Sequence, residues 1–496
     1  MITHNFSIII TFILYLGLML TIGFIFYQKT EKLSDYILGG RQLNYWVTSL
    51  SAQASDMSGW LLLGLPGLAY ATGVGEAFWV AFGLAFGTYL NWRFIAKRLR
   101  KYTHLAGNSL TLPDYFENRF KDHSKVLRVV SAIFILIFFL IYTAAQFAAG
   151  AKLFNTVFGV PYLAGLAIGA FVIISYTFLG GFMAVCWTDF FQGLLMFFAI
   201  ITVPIAGMMS LGGIDVTFNK LSSIDPLLLD IFAAGNGKML TTMAIISSVA
   251  WGLGYFGQPH ILVRFMAIRS SNEIKQARTI AIIWVTLSLA AAVLVGVVGR
   301  VYLTQPLEGA ASETVFMVMV NQIFPSVIAG MLLAAILAAT MSTADSQLLV
   351  TSSAISGDFY KALFRKNASD KELVWVGRLT VVGVSIIAYL LAINPNSSVF
   401  KLVAYAWAGF GAAFGPTIIL SLFWKRMTRF GALAGMVGGG LTVLIWKQLQ
   451  GGLFDLYEIV PGFIISVLAI IIVSLMDKEP AKEIIDEFEA VNVSEI

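Results

Sequence analysis

Ser51-Ala52-Gln53-Ala54-Ser55-Asp56-Met57-Ser58-Gly59-Trp60 sits in the middle of an apolar segment running from about Trp46 to Tyr70, long enough to cross a bilayer. A segment of that length is expected to be a continuous greasy helix, yet its centre holds serines, a glutamine, a carboxylate and a glycine. An ionisable side chain at that depth is costly and points to function. A helix interrupted there frees backbone carbonyls and amides that only a bound ion, a ligand or neighbouring protein can satisfy. The stretch reads as half of a binding site at the middle of a membrane.

The composition agrees. Of 496 residues, 58% are hydrophobic and 12% charged, with a mean hydropathy of +0.84. Soluble chains carry roughly 25% charged residues. The chain is therefore an all-α polytopic membrane protein whose first partner is the lipid bilayer. The net charge of +5 is no nucleic-acid signal, because the basic residues lie in loops. A single cysteine, Cys186, excludes an intramolecular disulfide and a multi-cysteine metal site. His4, His104, His123 and His260 form no HExxH motif, which argues against a metal-dependent intramembrane enzyme. No Gly-x-x-x-x-Gly-Lys-Ser/Thr loop occurs, against an ATP-driven pump. No carbonyl-lined filter such as TVGYG occurs, against a channel. The run Phe6–Tyr27 lacks a basic flank and a small-residue cleavage site, so it reads as a retained helix.

About 13 spans emerge, near 6–27, 46–70, 75–96, 125–155, 162–180, 189–211, 239–263, 277–303, 314–356, 373–393, 401–424, 429–449 and 459–476. The runs at 125–155 and 314–356 exceed one bilayer thickness, so each must tilt, bend or project. With the N-terminus outside and the C-terminus cytoplasmic, only Lys152, Lys220, Lys238, Arg300, Lys401 and Lys447 of the 32 Lys and Arg fall on outer segments. That bias orients a multi-pass protein in the plasma membrane and makes the basic loop from Lys97 to Lys125 cytoplasmic. A second polar, glycine-interrupted span contains Ser247-Ser248-Val249-Ala250-Trp251-Gly252-Leu253-Gly254-Tyr255-Phe256-Gly257-Gln258-Pro259. Interrupted spans at matching positions point to an inverted-repeat transporter. The resulting division is a first helix and loop over 1–45, five-helix repeats over 46–211 and 212–424, two added helices over 425–476, and a solvated acidic tail over 477–496.

A third interruption lies in span nine, at Ala339-Thr340-Met341-Ser342-Thr343-Ala344-Asp345-Ser346-Gln347. Ala339, Ser342, Thr343 and Ser346 share one helical face, a strip of hydroxyls beside a small residue. A hard cation such as Na+ takes several oxygens at short distance. Carbonyls near Ala54 and Met57, with the hydroxyls of Ser342 and Thr343, supply them. Hydroxyls do not titrate near neutral pH, so the face suits Na+ better than H+. The alternative is that these hydroxyls only bond back to their own helix. Asp56 and Asp345 are carboxylates within spans, functional or structural, and Asp189 lies near the cytoplasmic entrance of span six. Trp251 and Tyr255, one turn apart and flanked by glycines, suit a substrate-facing wall, with Tyr142 beside polar Thr143 and Gln146 as a third member.

Over nearly its whole length the chain resembles the sodium/solute symporter family, and most closely its bacterial proline branch. The resemblance rests on Asp35–Arg41, Ala54-Ser-Asp-Met-Ser-Gly-Trp60, Leu110–Phe116, Gly180–Asp189, Trp251-Gly-Leu-Gly-Tyr-Phe-Gly-Gln-Pro-His260, Ile336–Thr343 and Ala404–Gly415. It implies a leucine-transporter-like 5+5 inverted-repeat core, alternating access, and co-transport of L-proline with Na+. Another small solute, such as pantothenate or another amino acid, is the alternative. It further implies sodium ligands at Ala54, Met57, Ala339, Ser342 and Thr343. The implied proline pocket is Tyr142, Trp251, Tyr255 and Pro259 near Ser58 and Gly59. Asp56, Arg41 and Asp189 match positions tied to sodium coupling. The chain departs from the family pattern at Ala344-Asp345-Ser346, so the resemblance gives Asp345 no role.

Overall fold

The computed structural model describes residues 2–27, 33–179, 181–235 and 237–493. Residues 28–32 of the expected first loop, Gly180 of the Gly180–Asp189 motif, and 494–496 of the tail lie outside the described residues. Among the described residues the architecture is helical, with strand-like pairing only at two isolated bridges, Leu43 with Ile268 and Ala233 with Met239.

The chain opens with α1 (Ile2–Tyr27) and α2 (Tyr45–Gly59), which passes through a widened turn at Trp60–Gly64 into α3 (Leu65–Thr72). Next come α4 (Val74–Leu90), α5 (Ala96–Leu105), α6 (Leu112–Arg119), α7 (Val126–Phe158), α8 (Tyr162–Leu179) and α9 (Phe182–Ser210). The second broken region is α10 (Thr242–Val249), a 3-10 segment Ala250–Gly257, and α11 (Pro259–Ala267). It is followed by α12 (Ile274–Tyr302) and α13 (Ser326–Ser353), which runs on as a widened helix to Phe364. The remainder is α14 (Asp370–Leu391), α15 (Val399–Phe423), α16 (Arg429–Trp446), α17 (Ile459–Met476) and α18 (Lys482–Val493). Nine helices among the described residues are long and apolar enough to cross a membrane, and two shorter apolar ones accompany them.

Local chemistry sets the ends. The Asn44 side chain accepts from the Val47 amide at 3.0 Å to start α2, and Thr241 does the same for the Ala244 amide at 3.1 Å to start α10. Pro259 opens α11 as a first-turn proline, and Gln258 before it is extended, which ends the 3-10 segment. The expected ninth span, 314–356, is in fact two pieces: a short helix Val315–Ile323, then α13. Pro325 divides them, because it cannot continue the helix and leaves Phe324 extended. The 33 residues of α7 stay continuous, as does α13 into its widened end.

The core sits around α2. It packs on α9, α13, α12 and α11, and Val47 through Gly59 are all buried. The 3-10 segment lies against α4 and α15. There Gly252 faces Gly83 and Gly87 so closely that a Cβ at Gly252 collides with the Gly83 backbone, which explains the glycines on both elements. At one end, buried Glu313 pairs with Lys152 at 2.5 Å and accepts from the Val399 and Phe400 amides at the start of α15.

The tail is exposed over most of its residues, as expected of it, but it is also ordered. Residues 482–493 form α18, which docks on α5. Phe488 and Val491, three apart on one face, are buried, and the Arg98 guanidinium lies 4.8 Å from the Phe488 ring centre. Lys121 pairs with Glu487 at 2.6 Å. Its acidic residues meet basic loop residues while staying largely exposed, Glu487 excepted.

Candidate functional site

Ser58 breaks α2. Its φ of 55° and ψ of −173° are foreign to a helix and strained for a residue with a side chain. Its hydroxyl accepts from the Trp60 amide at 3.0 Å, which restarts the chain as a helix. The Gly59 amide, released by the break, is met by Gln146 Oε1 at 3.0 Å. Met57's carbonyl accepts from the Trp60 amide.

On one side of the break is α13. The Ser342 hydroxyl donates to the Ala54 carbonyl at 2.9 Å, and Thr343 donates to the same oxygen at 3.4 Å. Ser342 also reaches the Ala339 carbonyl of its own helix at 3.3 Å. These residues are 288 apart in sequence in the case of Ser342 and Ala54, and all are buried. Ala54, Ala339, Ser342 and Thr343 thus form one oxygen cluster, in which hydroxyl protons occupy the positive role a small hard cation takes. The donor set is uncharged carbonyl and hydroxyl oxygen, which fits Na+.

On the other side is a narrow cavity of about 10 Å³ lined by Asp56, Met57, Trp60, Tyr142, Trp251, Tyr255 and Trp407, among others. Tyr255 donates its hydroxyl to Asp56 Oδ2 at 2.7 Å, and Tyr142 donates to the Asp56 backbone carbonyl at 3.1 Å. Trp251 stands 5.2 Å from Trp60, centre to centre, and Trp407 lies edge-on to Tyr255 at 5.1 Å. Phe400 covers both Trp60, at 6.0 Å, and Trp251, at 5.2 Å. Asp56 therefore belongs to the residue run that carries the oxygen cluster and also lines the aromatic cavity.

Three of the expected site residues lie elsewhere. Pro259 does not line the aromatic cavity; it faces a separate cavity of about 20 Å³ with Leu110, Phe182, Val263, Leu349 and Ser353. The break at Gln258 turns it away from Tyr255. Arg41 is remote from both sites. Its guanidinium holds the Met266 carbonyl at 2.5 Å and the Ser109 carbonyl at 2.7 Å, tying the end of α11 to the loop after α5. Burial beside Arg100 pushes the Arg41 pKa down to about 10. Asp189 is not at a membrane entrance. Because α9 starts at Phe182, Asp189 lies two turns inside and is fully buried, accepting from Ser51 at 2.7 Å and Arg264 at 3.1 Å.

Arg264, Trp60 and Trp407 escaped the sequence reading. The signal for Arg264 was present, a basic residue in the apolar run His260-Ile-Leu-Val-Arg264-Phe-Met. Nothing local distinguished the two tryptophans from lipid-facing ones.

A family model described as the Sodium:solute symporter family matches residues 36–439. The high-affinity proline transporter PutP of Bacillus subtilis (strain 168) is 51% identical over 472 residues, 95% of this chain and 98% of that protein. The sodium/proline symporter of Escherichia coli (strain K12) is 51% identical over 478 residues, 95% and 94% of the two chains. Among solved structures, the substrate-bound, outward-open Na+-coupled sialic acid symporter matches with a TM-score of 0.79 at 20% identity, covering 96% of this chain and 99% of that one. MhsT in complex with L-phenylalanine matches at 0.53 and 17%, over 86% and 97%. These two likenesses concern the fold, which is that of Na+-coupled transporters. With the family model matched across most of the chain and relatives half identical end to end, the chain belongs to the sodium:solute symporter family.

Proposed function

We propose that this protein imports L-proline with Na+ by alternating access across the plasma membrane. The observation that carries it is the double duty of the broken α2. Ala54 lies in the oxygen cluster with Ser342 and Thr343, and Asp56, two residues on, lines the aromatic cavity. Ion and solute on adjacent residues of one irregular segment each set the other's affinity, which is what co-transport requires. Both half-identical relatives bear names specifying proline, and that of the Escherichia coli protein specifies sodium as well, which supplies the solute.

In this reading Na+ sits among Ala54, Met57, Ala339, Ser342 and Thr343. The solute lies against Tyr142, Trp251 and Tyr255, beside the break at Ser58 and Gly59. Pro259 and the cavity beside it form part of an exit route that continues into a charged vestibule sharing Leu110, Thr111 and Asp358. The bias of basic residues supports a cytoplasmic vestibule, with the N-terminus outside and two five-helix repeats over 46–211 and 212–424. Uptake of a labelled amino-acid panel into proteoliposomes, with Na+, K+ and pH gradients imposed separately, tests this. Proline uptake driven by the Na+ gradient is expected, and uptake indifferent to Na+ overturns the reading.

A further inference from the structure

A second oxygen cluster lies beside the first, and it already contains a cation. Arg264 on α11 is fully buried, and its guanidinium reaches four helices. Nη2 donates to Asp189 Oδ2 on α9 at 3.1 Å and to Ser346 Oγ on α13 at 2.5 Å. Nε donates to Ser51 Oγ on α2 at 3.1 Å, and Nη1 to the His260 carbonyl on its own helix at 2.7 Å. Phe182 packs on the guanidinium at 5.4 Å. Two carboxylates share this enclosure: Asp189 Oδ1 and Asp345 Oδ2 have no hydrogen-bond partner, and Asp345 is fully buried.

Without Arg264 this would be a pair of carboxylates and two hydroxyls, dry and inside a membrane protein. Such a group has to be matched by a positive charge. The positions matter too. Ser346 is one turn from Ser342 on α13, and Ser51 is three residues before Ala54 on α2. Arg264 therefore grips both helices that form the candidate Na+ site, while sitting on the helix that follows Trp251 and Tyr255.

We propose that Arg264 is the resident cation of this second cluster, a positioning residue that pairs with Asp189 beside Asp345 and so limits transport to one coupling ion. The proposal rests on the Na+-coupled reading above. Removing the guanidinium charge exposes an anionic oxygen cluster of the kind that takes a small cation. Two ions then bind in linkage with the solute.

The test is the Na+ dependence of proline uptake, and equilibrium binding of radioactive Na+, for purified protein in proteoliposomes. Wild type is expected to show a Hill coefficient of about 1 and Arg264→Gln a sigmoidal response approaching about 2. Arg264→Gln/Asp189→Asn/Asp345→Asn, which removes both carboxylates as well, is expected to return to about 1. A merely structural role for Arg264 lowers the rate and leaves the coefficient unmoved, and that result overturns the proposal. Where Arg264→Gln transports too slowly, the bound-ion count decides in the same way. Where it is not recovered folded, Arg264→Gln/Asp189→Asn/Asp345→Asn should be, because the lesion is the uncompensated pair of carboxylates. Failure of that triple variant also overturns the proposal. Wild-type uptake without Na+ dependence, by contrast, fails the functional reading itself and takes this inference with it.

Discussion

Single side chains divide the site between ion and solute. Thr343 offers one hydroxyl to the Ala54 carbonyl. Losing one oxygen from a desolvated cation's shell costs about 1–3 kcal/mol, or roughly a 5–150-fold weaker Na+ response. Thr343→Val, which keeps the shape, is expected to show that loss in the Na+ activation curve of proline uptake, and Thr343→Ser to be mild. Unaltered Na+ dependence in Thr343→Val means the hydroxyls serve only their own helix. Trp251 and Tyr255 were expected to act alike as a wall, but their contacts differ. Trp251 stacks among Trp60, Phe400 and Tyr457, whereas the Tyr255 hydroxyl is committed to Asp56. Trp251→Ala should therefore raise the KM for proline with little change in half-saturating Na+. Tyr255→Phe loses a charge-assisted bond of about 1.5–3 kcal/mol and should shift Na+ activation instead. Equal effects of both variants on both parameters would dissolve this division of labour.

At the scale of elements, the two broken regions owe their shapes to different devices. The break in α2 is a strained serine held by a buried glutamine, and that in the second region is a proline boundary preceded by glycines under close backbone contact. Glycine contributes differently by place. Gly252 faces backbone, so Gly252→Val forces α4 from the 3-10 segment and should destabilise by about 1–3 kcal/mol. Gly383, mid-helix in α14 with nothing within 4 Å of its notional Cβ, should gain up to about 1 kcal/mol as Gly383→Ala. Thermal unfolding in detergent is expected to show a lower Tm for the first and an equal or higher Tm for the second. The reverse order would mean the contact at Gly252 can relax.

For the whole molecule, the aromatic cover over the solute cavity and the Glu313 contacts lie on one side, and the vestibules near Leu110 and Asp358 on the other. A membrane potential of about 100 mV adds roughly 2.3 kcal/mol per charge. A tenfold Na+ gradient adds about 1.4 kcal/mol. One ion thus sustains accumulation of a few hundred-fold without ATP. The orientation is checked by cysteines placed in 220–238 and in 361–371, challenged with an impermeant thiol reagent from outside. Labelling is expected only in the first, and the opposite pattern reverses the topology.

Sequence alone determined the membrane class, an interruption within Ser51–Trp60, and the hydroxyl strip on α13; the structure fixes the break at Ser58. Each is written in composition or helical period over a few neighbouring residues: apolar runs set by lipid, and polar residues where a bilayer forbids them. It misjudged what depends on distant partners. Asp189 and Arg264 are 75 residues apart, and Tyr255 and Asp56 are 199 apart. No local pattern predicts which buried charge meets which. The docking of the acidic tail was not legible because its counter-charges at Lys121 and Lys425 belong to other loops. Pro259 looked like part of the aromatic wall because four residues of sequence separate it from Tyr255. Only the extended Gln258 between them, settled by tertiary packing, sends the two side chains to different cavities.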